Sequence, residues 1–124
     1  MLRCAPLILA LALVAPAQAQ QAPLAEAGKR VFLKCAACHT REATAPARFG
    51  PNLGGVVGRK VASLPGYAYS PALKRQKFIW TDAQLDKWLK NPRALVPGTA
   101  MSFPGLADAA DRKAVIAYLK SPTP

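Results

Sequence analysis

The sequence predicts an all-α domain with long irregular stretches between its helices and a centre that its own side chains do not fill. Three observations carry this reading. Apolar residues recur at helical spacing near both ends of the chain. The stretches between them are rich in Pro and Gly and have no period. One stretch reads Cys35-Ala36-Ala37-Cys38-His39. Two thiols separated by two residues and followed at once by an imidazole are the attachment pattern of a c-type haem. Each thiol adds across one vinyl group, and the next residue projects an imidazole onto the iron. Two other uses of a Cys pair compete with this one. Tetrahedral zinc needs four ligands, and the chain has only one further cysteine, Cys4, and no further histidine. A thioredoxin-like redox pair expects a βαβ context, which is not visible.

The first segment reads as an address. Arg3 gives a short positive start, Ala5 to Ala15 is almost wholly apolar, and Ala17-Gln18-Ala19 is a small-x-small cleavage site. Residues 1–19 are therefore expected to be a cleaved secretory signal, with an uncleaved anchor as the alternative. Cys4 would leave with it, and the destination expected for the mature chain is a bacterial periplasm. Loss of Arg3 takes the formal charge from +11 to +10. Such a charge governs partners and encounter rates rather than fold. Nucleic acid is not an expected partner, because no binding motif and no aromatic-interleaved basic ribbon is present. Acidic protein surfaces are.

The mature chain is short for a self-sufficient core, and a central haem would supply the missing apolar bulk. Residues 20–24 read as a short polar tail. In residues 25–38, Gly28, Val31, Phe32 and Cys35 follow Leu24 along one helix face. Gly28 is costly inside a helix, which is reasonable if another backbone approaches closely there; simple tolerance is the alternative. Ser70-Pro71 starts a short helix to about Gln76, with Ser70 as N-cap. Thr81 caps the next, with Gln84 as capping-box partner and Leu85, Trp88 and Leu89 as its apolar face. Asn91-Pro92 ends it. Asp108 caps the last helix, whose stripe is Val115, Ile116 and Leu119, and Pro122 closes it. That stripe is placed to pack on the first helix at Gly28 and Phe32.

The loops carry the remaining chemistry. In the turn-rich run Gly50-Pro51-Asn52-Leu53-Gly54-Gly55, the Pro51 carbonyl can accept the ring N–H of His39, fixing its tautomer and raising its basicity. Arg59 and Tyr69 can bond buried propionates, or be an exposed arginine and a packed tyrosine. Residues 92–107 read as a second irregular loop. Once the leader is gone, Met101 is the one methionine and His39 the one histidine. Met101, suspended among Pro and Gly, is thus the best second side-chain ligand to iron, with lysine a poor second.

Taken together, these motifs resemble class I cytochrome c over residues 25–120, leaving 121–124 as a C-terminal tail. The likeness rests on Gly28…Phe32, the Cys-x-x-Cys-His stretch, Gly50-Pro51-Asn52-Leu53, Gly58-Arg59-Lys60, Pro65-Gly66-Tyr67-Ala68-Tyr69, Trp80, the run from Asn91-Pro92 to Met101, and Ala117-Tyr118-Leu119. It implies an all-α cytochrome c fold in which N- and C-terminal helices cross and loops wrap one covalent haem c. It implies His39 and Met101 as axial ligands. By matching positions it implies Tyr69, Trp80 and Arg59 around a propionate, Pro51 behind His39, Thr99 near the haem on the methionine side and Phe103 over its edge. The sequence departs from the mitochondrial pattern at Trp88, where a tyrosine stands near the sulfur, at Leu73, where an asparagine stands near the inner propionate, and at Ala100, which replaces a lysine.

The function implied is that of a monomeric one-electron carrier and not an enzyme. Its expected partners are acidic faces of redox proteins such as a bc-type complex, a terminal oxidase, a reaction centre or a periplasmic dehydrogenase, with no stable membrane insertion. Lys34, Lys60, Lys74, Lys90 and Arg93 are candidates for docking. The rival readings are a haem enzyme or gas binder with an open sixth position, and a module dedicated to one dehydrogenase.

Overall fold

The computed structural model describes residues 16–123; the expected leader, apart from its last four residues, lies outside the described residues. Five helices follow in order: α1 (Ala17–Phe32), α2 (Pro71–Lys74), α3 (Asp82–Lys90), α4 (Pro92–Leu95) and α5 (Ala109–Lys120). Among the described residues the β-structure is one isolated antiparallel bridge, Lys60 to Ile79. The architecture is all-α, as expected.

α1 and α5 make the main packing pair. The faces read from the sequence are the ones buried: Val31 and Phe32 on α1, and Val115, Ile116 and Leu119 on α5. The Phe32 and Tyr118 rings meet at 5.4 Å between centroids. Gly28 has its reason here, because a Cβ at that position would run into the Ala114 carbonyl. α3 packs on both α4 and α5, burying Leu85, Trp88 and Leu89. The expected caps form: Ser70 accepts from the Leu73 N–H, Thr81 from Gln84 and Asp108 from Ala110. The Thr81 N–H bonds the Ile79 carbonyl rather than the Gln84 side chain, so the capping box expected there is only half made.

Three elements differ from expectation. α1 begins at Ala17, so residues 20–24, expected as a tail, are helical; Ala and Gln are good helix formers. α1 also ends at Phe32 rather than 38. From there Lys34 bonds Val31, Cys35 bonds Phe32 and Cys38 bonds Cys35, each one residue short of the α spacing, while Ala36 to Phe32 and His39 to Cys35 keep it. The attachment segment is a run of mixed turns rather than regular helix. Finally, the expected loop 92–107 opens with a helical turn, α4. Asn91 ends α3 and then caps α4, accepting from the Ala94 N–H, while Pro92 fills the first helical position.

Two arginines are buried without having been legible as core. Arg112 bonds Asp86 at 2.7 Å and the Leu106 and Ala107 carbonyls at 2.9 Å. Arg41 reaches the Ser121 carbonyl at 2.6 Å and that of Pro122 at 3.1 Å, with its guanidinium 4.2 Å from the Tyr118 ring centre.

Candidate haem site

A cavity of about 430 Å³ lies among α1, α2, α3, α5 and the loops, and every candidate site residue lines it: Cys35, Cys38, His39, Pro51, Arg59, Tyr69, Trp80, Thr99, Met101 and Phe103. A wider cleft of about 870 Å³ lies between residues 43–47 and the C-terminal residues. Its lining holds no thiol, imidazole or thioether, so the smaller cavity is the site.

The end of α1 delivers the first group of these. Cys35 is half-buried and Cys38 exposed. Burial raises the Cys35 thiol, against the opposing pull of the Lys34 ammonium. His39 follows, its backbone N–H bonded to the Cys35 carbonyl at 2.9 Å. Its Nδ1 donates to the Pro51 carbonyl at 2.8 Å, which leaves Nε2 as the lone-pair nitrogen. Burial pushes the imidazole below its ordinary range, and the Pro51 bond opposes this. Gly50 is what lets the ring sit here, since a Cβ on Gly50 would strike three of its atoms.

The loop behind His39 is stitched in place. Gly50 N–H bonds the Cys38 carbonyl at 2.8 Å and Leu53 N–H that of Thr40 at 2.7 Å. Asn52, which in sequence is one residue of a turn-rich run, donates through its amide to the Glu42 and Ala45 carbonyls at 2.8 and 2.9 Å, and its Oδ1 accepts from Gly54. Arg59 donates to the Asn52 carbonyl at 3.0 Å and the Gly54 carbonyl at 3.3 Å. It is half-buried, and desolvation lowers its pKa while Tyr69 opposes. Its remaining N–H groups stay free for another acceptor. The Tyr69 hydroxyl accepts from the Leu64 N–H at 3.2 Å, so its own proton is free to be donated.

Thr99 Oγ1 accepts from the Met101 N–H at 3.3 Å, fixing the loop that carries the thioether. Trp88, one of the departures, is buried with its ring 5.4 Å from that of Trp80. Leu73, the other, also lines the cavity. The walls contributed by Phe32, Leu53, Val56 and Leu89 went unremarked as site residues; as core positions of helices and turns they carry no chemical signal in sequence.

This donor set fits a haem c. The cavity is walled mainly by apolar side chains, and paired thiols, an imidazole, a thioether and the donors of Arg59 and Tyr69 all line it. The zinc reading lacks its ligands: among the described residues no three His, Cys, Asp or Glu side chains converge as a metal set.

The comparisons agree. The cytochrome c family profile matches residues 25–123. The chain belongs to the cytochrome c family. It is similar to cytochrome c2 of Rhodomicrobium vannielii, with 48% identity over 92 residues, 74% of each chain. It is 45% identical to cytochrome c of Gossypium barbadense over 107 residues, 84% of this chain and 96% of that one. Its fold is similar to that of cytochrome cH from Methylobacterium extorquens, with a TM-score of 0.73, 45% identity, and coverage of 77% of this chain and 96% of the other. As a class I cytochrome c, the protein is a one-electron carrier with a haem c bound covalently through Cys35 and Cys38, and not an enzyme.

Proposed function

We propose that His39 and Met101 are the axial ligands of the iron, and that this cytochrome c works in a periplasm, docking through its cations on acidic faces of its redox partners. A haem c bound at the two cysteines supplies a ferric/ferrous couple, and the protein's residues set its surroundings. His39 presents Nε2 in a fixed tautomer because Pro51 holds the other nitrogen. Met101 offers a soft thioether, a ligand that favours the reduced state alongside histidine. Arg59 and Tyr69 supply donors for propionates, Trp80 and Thr99 close the cavity beside them, and Phe103 screens its edge. The surrounding apolar walls exclude water, which limits solvent reorganisation when charge moves.

The observation that carries the ligand assignment is the placement of Met101 and the Pro51-held His39 on one apolar cavity with both thiols. Replacing the sulfur tests it. Ferrous Met101→Leu is expected to bind carbon monoxide and its ferric form to become high-spin; a low-spin variant inert to carbon monoxide would show that another group holds that position.

The address rests on the leader pattern and on α1 itself. Pro23 sits inside α1 as it stands and has no N–H for the Ala19 carbonyl. If the chain is cut after Ala19, Pro23 falls in the first turn, where N–H groups lack helical partners anyway. The intact mass of the exported holoprotein checks this, and is expected to correspond to a start at Gln20 plus one haem. Among the described residues no helix is long and apolar enough to cross a membrane.

The partner reading rests on charge. Lys60, Lys74, Lys90 and Arg93 are exposed and join none of the ion pairs formed among the described residues, whereas Lys34 pairs with Asp111 at 3.6 Å. The proposed partners, a bc-type complex, a terminal oxidase, a reaction centre or a periplasmic dehydrogenase, share the need for an acidic docking face.

A further inference from the structure

We infer that Arg41 is an internal cation that raises the reduction potential of the haem couple. Arg41 is 4% exposed, and a guanidinium stays charged when buried. Among the described residues no carboxylate pairs with it. The ion pairs among the described residues are Lys34–Asp111, Arg112–Asp86 and Lys120–Asp82. Arg41 is held instead by dipoles: the Ser121 and Pro122 carbonyls at 2.6 and 3.1 Å and the face of Tyr118 at 4.2 Å. Its Nε is buried without a partner. Arg112, the other buried arginine, has Asp86 at 2.7 Å, so the two differ in kind.

Arg41 does not line the cavity and its guanidinium faces the C-terminal residues, but its place in the chain keeps the charge close behind the site. Arg41 follows His39 by two residues, and Thr40 between them is tied to Leu53 at 2.7 Å. Tyr118, under the guanidinium, packs on Phe32, which lines the cavity. A full charge in low dielectric is poorly screened. Oxidation adds one positive charge at the iron, so an unneutralised cation nearby disfavours the ferric state and favours the ferrous. The effect is an order-of-magnitude one, about tenfold in the ferrous-to-ferric ratio at fixed applied potential for a single partly buried unit charge. The inference rests on the covalent haem of the family and not on the identity of the second axial ligand.

The experiment is a potentiometric titration of the holoprotein and of Arg41→Lys, Arg41→Met and Arg41→Gln, each first checked for the parent's optical spectrum so that a change of ligation is seen separately. The neutral variants are expected to titrate at lower potential than the parent, and Arg41→Lys near it. The offset of the neutral variants is expected to persist at high salt, unlike that of the exposed control Lys113→Met. Charge and shape separate in Arg41→Lys alone, because it keeps the cation and loses the planar fork. A fall in Arg41→Lys equal to that of the neutral variants, or unshifted neutral variants, would overturn the inference and leave Arg41 a structural clamp on the C-terminal residues.

Discussion

At the scale of single residues, the site depends on how little freedom His39 has. Its Nδ1 is taken up by Pro51, its backbone by Cys35, and its ring face lies against the missing side chain of Gly50. Burial holds its pKa below 6.5. The sign of the pH effect follows. A histidine with a lowered folded pKa is neutral in the native state, so it contributes fully above 6.5. Its contribution is lost only as pH falls from 6.5 through the folded pKa, where the unfolded chain takes up the proton first. The low-spin optical spectrum is therefore expected to hold unchanged as pH falls from 8 through 6.5 and to give way only in acid. A transition centred at 6.5 would contradict the protected imidazole. This much was legible in sequence, because adjacency of Cys38 and His39 and a Pro in a turn-rich run are local signals. Arg41 was not, since the carbonyls it bonds lie 80 and 81 residues away, and Asn52 was not, since its partners, up to 10 residues off, lie in a stretch without period.

At the scale of elements, the packing of α1 on α5 sets where Cys35 and His39 emerge. The contact at Gly28 is backbone against backbone, and a Cβ there would meet the Ala114 carbonyl. Gly28→Ala gains up to about 1 kcal/mol of helix propensity but must part the two helices, for which overpacking costs about 1–3 kcal/mol. Net destabilisation is expected, read as a lower denaturation midpoint with an unchanged slope against denaturant. A variant as stable as the parent would mean the helices separate freely. The helix faces and caps could be read because periodicity and Ser, Thr or Asp before a helix are one-dimensional patterns. The turn α4 could not, because Asn91-Pro92 reads equally as the end of one helix or the start of another. The early end of α1 is likewise decided by the mixed turns from Leu33 to Cys38, where the apolar periodicity continues unbroken.

At the scale of the whole molecule, the protein is a positively charged carrier around one covalent haem. The sequence carries 17 basic residues against 6 acidic ones, and three of the acids pair internally with Lys34, Arg112 and Lys120. Most of the cationic surface is left for partners. The second-order rate of electron transfer with an acidic partner is expected to fall steeply as ionic strength rises, as steered encounters do; a rate indifferent to salt would contradict docking by charge. Stopped-flow mixing over a salt series reads it. The all-α class was legible because the loops without period still left helices at both ends. The cavity as a volume was not, since its walls come from every helix but α4 and from the connections α1–α2, α2–α3 and α4–α5. The most direct test of the central claim is the optical spectrum of the reduced holoprotein with and without carbon monoxide. A low-spin c-type spectrum that carbon monoxide leaves unchanged is the result expected of iron closed by His39 and Met101. A high-spin spectrum, or ready carbon monoxide binding, would contradict it and make the site an open one.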